Sequence, residues 1–155
     1  MSKLVIGKAA PAFALPSTSG KHWKLADAKG TNLVVYFYPR DNTSGCTTET
    51  AAFRDLYPQF KQAGTAIVGI SADTLSSHEK FKAKLGLPFE LLADIDNSVC
   101  NLFAVYKEKS LYGRKYMGIE RSTFLIDGNG VLRYEWRKVK VSGHAEAVLA
   151  AALKL

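Results

Sequence analysis

The sequence predicts an α/β fold, a mixed central sheet with helices on both faces, in a single domain spanning residues 1–155. Two continuous apolar runs, residues 33–38 and 65–71, read as strands covered on both sides, which is the mark of a sheet sandwiched between helices. Stretches of helical period alternate with these strands, as crossover connections between parallel strands require. Near the C-terminus the order changes: the run 122–127 meets Asp-Gly-Asn-Gly and continues directly into a second alternating run at 131–137, a hairpin signal that adds antiparallel strands.

The elements follow in order. The opening through Pro16 and the turn at 17–20 read as loop with short extended pieces, and 22–25 as a short strand. Pro39 ends the strand 33–38. Thr43, Ser44 and Gly45 are helix-start residues, and from Cys46 the chain is helical through Phe53, Leu56 and Tyr57. Pro58 then predicts a kink or a break into two helical pieces before Gly64. The strand 65–71 is followed by an amphipathic helix over 76–85, with Phe81 and Leu85 four residues apart; Gly86 stops it and Pro88 forbids its continuation. Residues 91–93 form a short strand. Asn97 or Ser98 caps a helix through Val99, Phe103 and Tyr106, and a last helix covers 145–153. No repeat, low-complexity tract or linker interrupts this pattern.

Composition narrows the function classes. An ordinary hydrophobic content of 47% in 155 residues suits a globular core. The longest apolar run falls far short of the roughly 20 residues of a membrane span, and no secretory leader pattern opens the chain, so a soluble protein is expected. Two cysteines make no disulfide scaffold, which points to a reducing compartment, the cytoplasm. The net charge of +7 raises the question of nucleic acid, but the lysines and arginines are scattered and no nucleic-acid module accompanies them. A solvated basic surface is the expected reading.

Chemistry concentrates where the first strand meets the first helix. Cys46 faces unpaired backbone N–H groups and the positive end of the helix dipole, both of which favour a thiolate. Most free cysteines are buried and inert, but the polar neighbours Thr43, Ser44, Gly45, Thr47 and Thr48 set Cys46 apart. Cys100, between Val99 and Leu102, has no such neighbours and reads as a packing residue. His22, His78 and His144 show no metal-ligand spacing and are expected to be exposed or packed on strands.

Pro39, Thr43 and Cys46 spell PxxxTxxC, and with the downstream string Arg-Ser-Thr-Phe-Leu-Ile-Asp at 121–127 the chain resembles the peroxiredoxins, thiol peroxidases on a thioredoxin-like fold. The wider string YFYPRDNTSGCTTE resembles the bacterioferritin comigratory protein or peroxiredoxin Q branch, and the similarity runs over essentially the whole length. The resemblance implies that Cys46 is the peroxidatic cysteine, that Thr43 donates a hydrogen bond to the peroxide, that Pro39 walls off the site and that Arg121 supplies positive charge. It also implies that Glu49 orients Arg121, that no metal or other cofactor is used, and that a peroxide substrate is paired with thioredoxin, glutaredoxin or a small-molecule thiol as reductant. A monomer is expected.

Two departures from the branch's pattern matter. Ser44 stands where close relatives carry Pro, and the positions that usually hold a resolving cysteine are Ala51 and helix residues such as Phe81, Lys82 and Ala83. A one-cysteine cycle with an external resolving thiol is therefore expected, with Cys100 as the sole internal alternative. Three rival functions remain open. A thioredoxin-like reductase would need CxxC, but Thr47, Thr48 and Glu49 follow Cys46; a cysteine hydrolase would need a partner histidine; and a redox-regulated chaperone or binding module would keep the fold without the turnover.

Overall fold

The computed structural model describes residues 4–155. A short antiparallel pair, β1 (Ala14–Pro16) and β2 (His22–Lys24), leads through a 3-10 turn at Leu25–Ala28 into β3 (Asn32–Phe37). Then follow α1 (Ser44–Gln62), β4 (Thr65–Ser71), α2 (Leu75–Leu85), β5 (Glu90–Ala93) and α3 (Ser98–Leu102). A ribbon of β6 (Tyr106–Leu111) and β7 (Arg114–Ile119) precedes β8 (Ser122–Ile126), β9 (Leu132–Trp136) and α4 (His144–Ala152).

The central sheet has the order β5-β4-β3-β8-β9, with β3, β4 and β5 parallel and β8 and β9 antiparallel, so it is mixed as expected. Because successive strand residues point to opposite faces, β3 feeds two separate cores. Val34, Tyr36 and Tyr38 pack with Phe53 and Phe60 of α1, Phe81 of α2 and Val148 of α4. Leu33, Val35 and Phe37 pack on the other side with Leu15, Leu25, Cys100 of α3, Phe103 and Ile119. Gly69, opposite Tyr36 in the β3–β4 register, makes room for the Tyr36 ring: a Cβ there would lie 2.7 Å from Tyr36 Cζ.

Two expectations meet a different outcome, and one element was not expected. Of the kink or break expected at Pro58, the break is not seen: α1 runs as one helix to Gln62. An interior proline costs about 3 kcal/mol in lost hydrogen bonding and crowding, but Phe53 and Phe60, two turns apart on one face, are both fully buried, and keeping that face continuous offsets the cost. The helix expected to reach Tyr106 ends at Leu102, because Ala104 takes a left-handed conformation (φ 55°) and turns the chain into β6. The β6–β7 ribbon itself has no counterpart in the sequence reading. Its two-residue turn uses Tyr112 (φ 52°) and Gly113 (φ 77°) in place of the usual Asn-Gly, and most of its side chains are exposed, so neither the turn nor an apolar alternation announces it. Among the described residues no helix is long and apolar enough to cross a membrane.

Candidate active site

Cys46 enters the structure on the first turn of α1, whose N-cap is Thr43 (φ −88°, ψ 156°). The Thr43 carbonyl accepts the first helical hydrogen bond from Thr47 N–H at 2.8 Å, so the N–H groups of Ser44, Gly45 and Cys46 are left without helical partners. The Thr43 hydroxyl makes no cap; it donates to the Arg40 carbonyl at 2.9 Å, inside the loop. Pro39 is half-buried at the end of β3, where the chain leaves the sheet. Cys46 itself is only 1% exposed.

Arg121 immediately precedes β8, and the register Phe37↔Ser122 brings that end of β8 beside the β3 end from which the Cys46 loop departs. Its guanidinium reaches two residues of α1 at once: Nη2 donates to Cys46 Sγ at 3.4 Å and Nη1 to Glu49 Oε1 at 2.6 Å. Cys46 and Glu49 are three residues apart, hence neighbours on one helix face, and a forked cation is the side chain that can address both. Gly45 is part of this arrangement, a role that the sequence reading did not give it. A Cβ at Gly45 would lie 3.1 Å from Arg121 Nη2, so any larger residue crowds the guanidinium.

Glu49 is 1% exposed and its Oε2 has no hydrogen-bond partner. Burial pushes its carboxyl up from 4.5 to about 7, with Arg121 opposing the shift only in part. A raised carboxyl pKa contributes stability that is fully present below the unfolded value and is lost as pH rises through the folded value. Wild-type protein should therefore lose stability relative to Glu49→Gln between pH 4.5 and about 7, by on the order of 3 kcal/mol. Denaturant midpoints of both proteins across that window check it, and parallel curves would contradict it.

Three further residues border this region without a signal in the sequence. Lys109 of β6 feels both Arg121 and Cys46, and burial followed by Arg121 holds its amine below the usual lysine range. His144, at the start of α4, is buried, with Nε2 2.7 Å from the Thr123 hydroxyl; burial, then Arg121, lowers it to about 4, so it is neutral at pH 7. His78 is fully buried on α2 against Asp41. His78 and His144 are strand-packed, as expected of histidines outside the motif, but from helices that cover the sheet: His78 Nε2 meets the Leu92 carbonyl of β5 and His144 Nε2 the Thr123 hydroxyl of β8.

Cys100 lies across the sheet from Cys46, in the opposite core. Both thiols are free. Burial, reinforced by Asp94, raises the Cys100 thiol far above the usual range, and its backbone N–H donates to Asp94 Oδ2 at 2.7 Å. A Cys46–Cys100 disulfide needs Cα atoms within about 7 Å, and the sheet stands between the two residues.

Comparison with known proteins gives concordant matches. The AhpC/TSA family model matches residues 6–135. Peroxiredoxin Bcp of Bacillus subtilis is 49% identical over 144 residues, covering 93% of this chain and 92% of the relative. Peroxiredoxin Bcp of Xanthomonas campestris is 48% identical over 153 residues, covering 97% and 96%. Among solved structures, the Xanthomonas campestris bacterioferritin comigratory protein, studied for alkyl peroxide reduction, superposes with a TM-score of 0.86 at 48% identity, over 90% of this chain and 89% of its own. A cysteine-to-serine mutant of Xylella fastidiosa PrxQ gives a TM-score of 0.90 at 41% identity, over 97% and 96%.

Proposed function

The chain belongs to the AhpC/TSA family and is a thiol-dependent peroxidase of the peroxiredoxin class, and we propose that Cys46 is its peroxide-reducing nucleophile in a one-cysteine cycle. The observation that carries this reading is the Arg121 fork, which holds Cys46 Sγ and Glu49 in one guanidinium. The Cys46 thiolate attacks one peroxide oxygen, the O–O bond breaks, and the departing oxygen takes a proton to leave as water or an alcohol, with sulfenic acid left on sulfur. Charge moves from sulfur to the leaving oxygen during this step. Fixed donors aimed along that path lower the barrier: Arg121, the N–H groups of the first turn of α1, and the Thr43 hydroxyl once it turns from the Arg40 carbonyl to the substrate. Pro39 narrows the approach from the sheet side, and Glu49 keeps the guanidinium in register with the sulfur.

Recycling is assigned to an external thiol, from thioredoxin, glutaredoxin or a small molecule. Three features support this: Ala51 where a resolving cysteine would sit, no cysteine in α2, and Cys100 in the opposite core with a thiol strongly biased toward its protonated, poorly nucleophilic form. Cys100→Ala should therefore turn over peroxide with added thiol at the wild-type rate, within about twofold, because a small apolar substitution at a packing site leaves the reacting groups alone. Peroxide consumption by the two proteins, assayed with the same thiol, tests the reading. Loss of turnover in a folded Cys100→Ala protein would make Cys100 the resolving residue.

A further inference from the structure

Asp41 lies in the loop between Pro39 and Thr43, yet it touches neither Cys46 nor Arg121 in any hydrogen bond. Its contacts run the other way, into the body of the fold. Oδ1 accepts from the Tyr38 hydroxyl at 2.6 Å, while Oδ2 accepts from the Ser77 hydroxyl at 2.8 Å and faces His78 Nδ1 at 2.7 Å. The Asp41 backbone N–H donates to Asp73 Oδ2 at 2.8 Å, the same oxygen that accepts from the Ser71 hydroxyl. One residue therefore ties the loop to the ends of β3 and β4 and to the first turn of α2. Asn42 follows in a left-handed conformation (φ 64°), and its side-chain oxygen accepts from Lys84 Nζ at 2.6 Å, near the other end of α2.

The His78–Asp41 contact can be followed proton by proton. His78 is fully buried, and its Nε2 is 2.9 Å from the Leu92 carbonyl oxygen, which can only accept, so Nε2 carries a hydrogen. A 2.7 Å approach of Nδ1 to a carboxylate oxygen then requires a second hydrogen between them. Asp41, Asp73 and His78 bring ligand atoms within 4.8 Å of one another, and both Asp41 oxygens and Asp73 Oδ2 accept from hydroxyl or N–H donors of the fold. The cluster is a buried cross-link, and Asp41 is 7% exposed at its centre.

Beyond Asn42 no side chain of the loop is tied to the body of the fold: the Thr43 hydroxyl bonds within the loop, and the hydrogen-bond partner of Cys46 Sγ is Arg121, across the sheet end. On the reading given above, the oxidised sulfur must next meet an outside thiol, Cys46–SOH + RSH → Cys46–S–S–R + H₂O. Cys46 is 1% exposed, so a thiol, bulkier than hydrogen peroxide, reaches its sulfur only as the first turn of α1 moves outward. The loop must be held for the first half of the cycle and released for the second. We propose that Asp41 and His78 are positioning residues that govern both: their cross-link fixes the loop for attack on peroxide and resists its release for resolution.

The proposal rests on resolution by an external thiol, and it is tested by single-turnover kinetics of both halves, with hydrogen peroxide as oxidant and 2-mercaptoethanol as the resolving probe. His78→Leu should slow Cys46 oxidation and speed mixed-disulfide formation, each about tenfold, since it removes a buried hydrogen bond to Asp41 and leaves that group with one partner fewer. In His78→Asn, whose amide N–H can reach Asp41, both rates should return most of the way to wild type. A purely structural role predicts instead that damage to the site lowers both rates. Resolution that is unchanged or slower in folded His78→Leu overturns the proposal. If that variant does not fold, Ser77→Ala, which removes one donor to the same oxygen, should move the two rates in the same opposite senses by about threefold, and wild-type rates there overturn it equally. The premise fails separately: wild-type protein that forms a Cys46–Cys100 disulfide and no adduct with 2-mercaptoethanol refutes external resolution, and the proposal with it, whatever the variants do.

Discussion

Cys46→Ser should consume no peroxide above the uncatalysed rate, a loss of at least about a thousandfold, because the hydroxyl that replaces the thiol remains protonated at neutral pH and is a far weaker nucleophile toward oxygen. The fold should survive. Sulfur and oxygen differ little in size, the site is a single helix turn, and the Ser hydroxyl can still accept from Arg121, so the stability change should stay within about 1 kcal/mol. Stopped-flow peroxide consumption, with circular dichroism as the folding control, checks both halves of the expectation. Ordinary turnover by Cys46→Ser would move the chemistry to Cys100, across the sheet and far from Arg121.

Arg121→Lys should slow Cys46 oxidation by about a hundredfold, the range found when one preorganised donor is taken from a transition state. Lysine keeps the charge but not the fork. Nη1 and Nη2 now serve Glu49 at 2.6 Å and Cys46 at 3.4 Å together, whereas a single ammonium drawn to the buried Glu49 carboxylate leaves the sulfur without its donor. Adding Glu49→Gln to Arg121→Lys should recover part of the lost rate, since the neutral amide competes less strongly for the ammonium. A rate constant for Cys46 oxidation that is the same in Arg121→Lys and wild type would take Arg121 out of the reaction.

The sequence was most legible where burial and periodicity agree. The β3 and β4 runs are apolar on both faces because both faces are covered, so their position and the mixed sheet follow directly from the pattern. Around Cys46 the pattern was also informative: Cys46, Glu49 and Arg121 meet through one helix turn and one strand end that it implied, while the Thr43 hydroxyl turns instead to the Arg40 carbonyl. The β6–β7 ribbon was illegible because its stability lies in backbone pairing at an exposed surface, with a Tyr-Gly turn that no common turn rule selects. Asp41 and His78 were hidden for a different reason. They are 37 residues apart, on a loop and a helix, and only the return of the chain through β4 brings them within 2.7 Å. Pro58 misled because a local breaking tendency was weighed without the two phenylalanines that hold the helix face to the sheet.

In the proposed cycle peroxide oxidises Cys46 and a thiol from outside the chain restores it. Its most direct test is the intact mass, with peptide mapping, of fully reduced protein treated with one equivalent of hydrogen peroxide, before and after addition of 2-mercaptoethanol. One added oxygen atom on Cys46 is expected, converted by the thiol to a Cys46 mixed disulfide and then to free Cys46, with Cys100 unmodified throughout. A stoichiometric Cys46–Cys100 disulfide before any thiol is added, or oxidation that maps to Cys100 while Cys46 stays reduced, would contradict it.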